Sequence, residues 1–247
     1  MSMKTSPQLI RLQSVDSTNE EAFRLHAAET AAPFFVTAAE QMQGRGRSGR
    51  TWQSPVGNLY LSCLLENPAS SEKLSQLGFV AGVALIDALV ATAHSKCFHL
   101  KWPNDVIVDG AKLAGLLLET RQQNNAQAVV IGWGVNISQT PKDLPYRAIG
   151  LHEISSSLDK EQLCQQLMSA FMQRLLQWDE GRNFNAIRQL WLQFALPPGT
   201  PLMVRGSETE KFEGVFESID ADGSLLLKTP FETRRIIAGD VILPGVA

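Results

Sequence analysis

The chain has 247 residues, 44% hydrophobic and 19% charged, with a formal net charge of -3. That allows one large core, or one ordinary domain with a small one beside it. The mild acidity gives no global attraction to nucleic acid or to an acidic membrane, so either role would need a local basic patch.

Three widely spaced cysteines, Cys63, Cys97 and Cys164, make no Cys-x-x-Cys pair and no disulfide framework. They read as buried thiols of a protein kept in a reducing compartment. The first residues hold no long apolar run, so no signal peptide is expected and the cytoplasm is favoured. Residues 9–12 suit a short strand. Ser17 followed by Glu20 spells a capping box, and Ala22, Leu25 and Ala28 continue at helical spacing. Ser17 is therefore open to two readings, helix cap or ligand contact. A helix this early is expected to leave no room for a separate N-terminal helix-turn-helix module.

Apolar runs at 34–39 and 59–65 predict strands. Between them lies the most distinctive stretch, EQMQGRGRSGRTW at 40–52. Gly44, Gly46 and Gly49 let the backbone turn and bring its amides close to a ligand. Arg45, Arg47 and Arg50 supply forks of donors for carboxylate or phosphate oxygens. The loop contains G-x-G-x-x-G, but a turn and a strand follow where the dinucleotide fingerprint requires a helix. There is no Walker motif, and no kinase signature lies downstream.

Ser70 or Ser71 begins a long predicted helix, to about residue 93, with a buried stripe of Leu74, Leu77, Ala81, Leu85 and Leu89. Its most apolar part, 78–86, is too short to span a bilayer. Phe98 and Leu100 share one face of a strand that leads into Lys101-Trp102-Pro103-Asn104-Asp105. Residues 106–108 and 113–120 predict a hairpin turning near Asp109-Gly110. An almost wholly apolar strand, 128–137, carries Gly132-Trp133-Gly134-Val135-Asn136 at its end. Residues 138–154 are irregular and read as a flap. Asp159 caps a helix carrying Leu163, Leu167, Ala170, Phe171, Leu175 and Trp178, and a third helix spans 184–196. After Pro197-Pro198-Gly199, four or five short alternating segments between 202 and 243 predict a small β-barrel. It is too small to be stable alone and is expected to pack on the rest.

Asp105 suits either a hard oxygen ligand for Mg²⁺ or a turn cap. Lys112 either points into a site or is solvated, and Asn136 suits a base, a phosphate or a metal. His26, His94, His99 and His152 fall in no zinc-ligand spacing. No Ser-His-Asp set can be placed. Arg, Lys, Asp and Asn without a nucleophile fit a reaction driven by positioning and charge stabilisation. Attack of a carboxylate on the α-phosphate of ATP is such a reaction.

These motifs resemble those of biotin protein ligases, the biotin–[acetyl-CoA-carboxylase] ligases. Asp16-Ser17-Thr18-Asn19 is similar to the family's DSTN, and 40–52 to E-Q-x-x-G-R-G-R-x-G-R-x-W. Residues 101–105 with Lys112-Leu113-Ala114-Gly115 resemble KWPND…KLAG. Gly132-Trp133-Gly134-Val135-Asn136 resembles G-x-G-[IV]-N, in which the middle residue is usually small. The resemblance implies an α+β fold: a mixed sheet with packed helices, akin to class II aminoacyl-tRNA synthetase catalytic domains, followed by an SH3-like barrel. The expected boundary puts a catalytic domain at 1–197 and the barrel at 198–247, as a short form without the N-terminal DNA-binding domain.

The resemblance also implies formation of biotinyl-5′-AMP from biotin and ATP, with Mg²⁺, and transfer of biotin to a lysine of the biotin carboxyl carrier domain of acetyl-CoA carboxylase. It assigns Ser17, Thr18, Asn19 and Gln41 to biotin's polar head, and Gly44, Trp102 and Gly115 to its surroundings. Backbone around Arg45 and Arg47 is expected to meet the carboxylate and phosphate, with Lys112 as the catalytic cation. Arg50, Trp52, Asn104, Gly132, Gly134 and Asn136 are assigned to the nucleotide, and Asp105 to magnesium. Trp133 is expected to reshape the nucleotide pocket. No DNA or membrane partner is expected, and a homodimer is left open. The rivals are a lipoate–protein ligase or octanoyl transferase, for which Gln41 with Ser17-Thr18 is too polar a head site, and a non-enzymatic peptide- or RNA-binding adaptor.

Overall fold

The computed structural model describes residues 7–93, 98–141, 144, 146–155, 159–206 and 211–244. His94 and Cys97 lie outside them, while Cys63 and Cys164 are buried free thiols, as expected. The larger sheet is built from β1 (Gln8–Val15), β2 (Phe34–Gln41), β3 (Leu59–Glu66), β4 (His99–Lys101), β5 (Asp105–Val108), β6 (Ala111–Gln123) and β7 (Ala126–Val135). Their order is β1-β2-β3-β7-β6-β5-β4. Strands β1 and β2 run parallel, and every other neighbouring pair is antiparallel. Helix α1 (Thr18–Ala27) supplies the crossover that a parallel pair requires. The β5–β6 hairpin turns where expected, with Asp109 and Gly110 at φ of 48° and 77°. Both positive values belong to the turn whose twist matches the strands.

Strand alternation sets the two faces of the sheet. On β7, Val129, Ile131, Trp133 and Val135 join the main core, which holds helices α2 (Leu77–Ala93), α3 (Lys160–Trp178) and α4 (Phe184–Gln193). Ala128 and Val130 point the other way, as Gly132 and Gly134 must by the same alternation. On that second face α1 packs Ala22 and Phe23 against Phe34, Val36, Leu64, Ala128 and Val130. The first turn of α1 reaches the glycine end of β7, where Asn19 lies against Gly132.

Trp133 is part of the pocket lining, but its indole points away from it. Its indole is buried on the helix side, donates from Nε1 to the Ala81 carbonyl at 3.2 Å, and meets Phe171 edge-on at 4.9 Å. The membrane argument changes as well. With its leading 3₁₀ turn, the apolar helix runs from Ser71 to Thr92, long enough to cross a bilayer. Its place in the core, with Leu77, Val80, Ala81 and Leu85 fully buried, accounts for its composition. Ser17 does precede α1, but its side chain caps nothing, and Glu20 is drawn off to arginines. Asp159 does cap α3, accepting from the Glu161 amide at 2.9 Å.

Strands β8 (Pro201–Arg205), β9 (Lys211–Ile219), β10 (Leu225–Lys228), β11 (Thr233–Ile236) and β12 (Asp240–Ile242) form an antiparallel SH3-like unit in the order β11-β10-β9-β8-β12. Its Leu202, Val204, Phe216, Ile219, Leu225 and Leu227 are continuous with the main core. Trp102 fastens the junction by donating from Nε1 to the Gly223 carbonyl at 3.0 Å, and Arg188 Nε reaches the Ile219 carbonyl at 2.7 Å. The small unit thus shares a core it could not build alone.

Candidate active site

A cavity of about 610 Å³ opens on the second face of the sheet, between the start of α1, the glycine-rich loop, β6, β7 and the edge of the barrel. One end is polar and preorganised. The backbone amide and hydroxyl of Thr18 both donate to Gln41 Oε1, at 2.8 and 3.0 Å, and Gln41 Nε2 donates to Ser54 Oγ at 2.9 Å. Ser62 Oγ lies 2.6 Å from Asn19 Oδ1, and Asn19 Nδ2 donates to Glu119 at 2.8 Å. Ser17, Thr18 and Asn19 are buried at the cavity wall. A Cβ at position 132 would collide with the Asn19 amide, so Gly132 is what lets Asn19 approach the sheet.

The opposite end is cationic. Asp105 sits between two lysines, with Oδ1 2.7 Å from Lys112 Nζ and Oδ2 2.8 Å from Lys101 Nζ. Burial pushes the Asp105 carboxyl up, but the charges and hydrogen bonds of Lys101 and Lys112 outweigh it and hold the group well below its ordinary 3.8. The Lys112 ammonium also lies 5.2 Å from the Trp52 ring and 5.4 Å from the Tyr146 ring. The irregular stretch steadies this lysine: its amide donates to the Arg147 carbonyl at 2.8 Å, and its carbonyl accepts from Ile149 at 3.0 Å. This part of the predicted flap is pinned to the sheet.

The loop between β2 and β3 folds on itself, with Gly46 N donating to Arg50 O at 2.6 Å and Trp52 N to Gly44 O at 2.9 Å. Its tip turns through Ser48 and Gly49 at positive φ, 55° and 71°. The Trp52 indole lies on Gly134, where a Cβ would stand 2.5 Å from Nε1, and close to Gly115. Trp52 Nε1 is buried with no hydrogen-bond partner among the described residues. Arg45 turns its side chain away, to Glu20 at 3.2 Å and Glu119 at 3.3 Å. Arg121 grips the same Glu20 at 2.7 Å; its hydrogen bond and that of Arg45 overcome burial and lower that carboxyl to about 2. Arg45 thus offers the cavity its backbone. Burial pushes the Arg47 guanidinium down, against Asp240 and Asp105, which push it up.

Most residues singled out in the sequence line this one cavity: Ser17, Thr18, Asn19, Gln41, Arg45, Arg47, Arg50, Trp52, Asn104, Asp105, Lys112, Gly115, Gly132 and Gly134. Gly44 sits behind it, where a Cβ would strike the Trp52 carbonyl. Two expectations, those for Trp102 and Asp105, need correction. Trp102 does not line the cavity, because its ring is spent clamping the barrel. Asn136 lies in a small adjoining cleft with Trp52 and Lys112, its Oδ1 buried and without a partner among the described residues. Asp105 is a poor magnesium ligand as it stands, because both of its oxygens face lysines. Asn104 lines the cavity but commits Nδ2 to the Leu116 carbonyl at 2.6 Å.

The sequence reading missed Tyr146, Arg147, Arg205 and Asp240, which also line the cavity. Tyr146 and Arg147 lie in a stretch without periodicity. Gly239 and Asp240 lie among the short alternating segments of the barrel, and no local pattern could link them to a loop about 190 residues earlier.

The cavity therefore suits an elongated acid with a polar head, its carboxylate directed at Lys112 and a phosphate held by the loop. Comparison with known proteins agrees. A family model described as "Biotin/lipoate A/B protein ligase family" matches residues 11–136, and one described as "Biotin protein ligase C terminal domain" matches 203–243. A biotin–[acetyl-CoA-carboxylase] ligase from Paracoccus denitrificans is 36% identical over 95% of this chain and 100% of its own length. The bifunctional ligase/repressor BirA of Bacillus subtilis is 31% identical over 95% of this chain and 74% of its own. A solved biotin protein ligase from Aquifex aeolicus, in complex with biotin and ATP, superposes with a TM-score of 0.82 at 29% identity, covering 95% of this chain and 97% of that one. With matches in both the larger sheet and the barrel, the chain belongs to the biotin protein ligases of the biotin/lipoate A/B protein ligase family.

Proposed function

We propose that this ligase joins biotin to ATP to give biotinyl-5′-AMP and pyrophosphate, and then passes biotin to one lysine of the biotin carboxyl carrier domain of acetyl-CoA carboxylase. The observation that carries this reading is a single cavity with the rigid Thr18–Gln41 polar cluster at one end and the Lys112–Asp105 pair at the other. In the first step a biotin carboxylate oxygen attacks the α-phosphorus, and the bond to the bridging oxygen of the β-phosphate breaks. In the second, the carrier lysine's amine attacks the acyl carbon and AMP leaves.

Ser17, Thr18 and Gln41 meet the ureido ring. The backbone at Arg45 to Arg47 meets the carboxylate and α-phosphate, and Lys112 neutralises charge on both. Asp105 holds that ammonium in place. Trp52 covers the adenine, with Gly132 and Gly134 keeping the sheet flat beneath it and Asn104 and Asn136 at the nucleotide's edge. Closure of the loop shields the mixed anhydride from water. The working unit is a catalytic domain at 1–197 with a barrel at 198–247, acting in the cytoplasm.

The deciding experiment is ATP–pyrophosphate exchange with biotin, lipoate and octanoate in parallel. Exchange with biotin alone is expected. Exchange with lipoate or octanoate instead would keep the mechanism and reassign the substrate, and no exchange from folded protein would point to a non-enzymatic adaptor. A second expectation tests the nucleotide side. Gly134→Val forces Trp52 off the sheet, and should raise the KM for ATP about tenfold or more. Biotin binding measured by calorimetry should change less than the KM for ATP, because Ser17, Thr18 and Gln41 do not touch Gly134.

A further inference from the structure

The tip of the basic loop is tied to the barrel. Among the described residues, every hydrogen bond from 46–50 to residues outside that loop ends on Gly239 or Asp240. Arg47 Nη1 donates to the Gly239 carbonyl at 3.1 Å, and Arg50 Nη2 to Asp240 Oδ1 at 2.8 Å. Arg47 Nη1 also lies 3.7 Å from the same Asp240 oxygen. The strand that carries Asp240 is itself fixed, paired with β8 and gripped by Lys101, whose Nζ donates to the Val241 carbonyl at 2.7 Å. Lys101 is the second partner of Asp105. A continuous set of polar contacts thus runs from Lys112 through Asp105, Lys101 and β12 to the loop tip.

We infer that Asp240 is a positioning residue: a latch by which the barrel holds the arginine loop closed over the cavity before any nucleotide is present. The tip itself is polar, carrying Arg47, Ser48 and Arg50, and turns through Ser48 and Gly49 at positive φ. One carboxylate shared by two guanidiniums supplies a fixed, charge-assisted anchor. The latch deepens the proposed function and rests on it in one respect. A loop released too readily would let biotinyl-5′-AMP escape, so the barrel would govern how long the intermediate is kept.

Hydrogen exchange of the loop amides, 44–52, in the ligand-free full chain tests the latch without reference to any substrate. Asp240→Asn keeps the shape and removes the charge. It should speed loop exchange by about three- to tenfold, with Asp240→Glu restoring much of the protection. Arg50→Gln should act in the same direction from the loop side, and the double variant should be no faster than Asp240→Asn alone. Release of biotinyl-5′-AMP should quicken by a similar factor in Asp240→Asn. Unchanged loop exchange in both Asp240→Asn and Arg50→Gln overturns the latch. A wild-type chain that forms no adenylate would instead overturn the proposed function, and the exchange measurements would still decide the latch.

Discussion

Replacing Lys112 with alanine should lower biotin-dependent ATP–pyrophosphate exchange by about 100- to 1,000-fold, the loss usual when one preorganised charge-stabilising donor is removed. The reason lies in where negative charge gathers. A carboxylate must approach a phosphate that is already anionic, and the ammonium is worth most at the moment the two share an oxygen. Lys112 is placed for this by contacts on three sides: Asp105 at 2.7 Å, and the Trp52 and Tyr146 rings at 5.2 and 5.4 Å. The fold should survive, since Asp105 keeps Lys101 as a partner. Thermal melting of the variant should therefore stay near that of the parent. Lys112→Arg should rescue poorly, because a planar fork does not replace a compact ammonium in this space. Undiminished exchange in Lys112→Ala would remove the lysine from the catalytic role.

Replacing Asp105 with alanine should cost about 3–5 kcal/mol of stability, because it leaves two lysines largely buried without their shared counter-ion. Their side chains are only 12% and 19% exposed. Urea denaturation of the two proteins measures the difference directly. Its pH dependence follows from the lowered carboxyl. In the unfolded chain Asp105 takes up its proton near the ordinary 3.8, and in the folded chain only at lower pH. The stabilisation is thus fully present above about pH 5 and is lost as pH falls below about 4 toward the folded value. The gap between parent and variant should be flat from about pH 5 to 8 and shrink in acid. A variant as stable as the parent at neutral pH would show that the lysines reach water and need no counter-ion.

The sequence of elements was largely legible because each carries its own local signal. The apolar runs of β2, β3 and β7, the Asp109-Gly110 turn, the Asp159 cap and the striped helices all appear where the residue pattern places them. The second face of β7 was legible too, though the alternation was not followed through: Gly132 and Gly134 on one side required Trp133 on the other. What misled was residue type read without its neighbours. An aspartate after a strand suits magnesium or a turn, and nothing in KWPND shows that Lys101 and Lys112 both turn back onto it. A tryptophan in the same motif looked like pocket wall, yet its N–H finds its acceptor at Gly223 in the barrel.

The sequence alone therefore determined the family, the order of strands and helices, and the set of residues gathered around one anion-binding loop. Periodicity, capping and glycine placement are short-range matters, written within a few residues of where they act. Only the tertiary structure decided that Asp105 is a counter-ion between lysines, that Trp102 clamps the barrel, and that the arginine loop ends on Asp240. These are pairings between segments far apart in the chain, 190 residues apart for Arg50 and Asp240. Such contacts are set by how two separately patterned units share one core, and no local pattern encodes them.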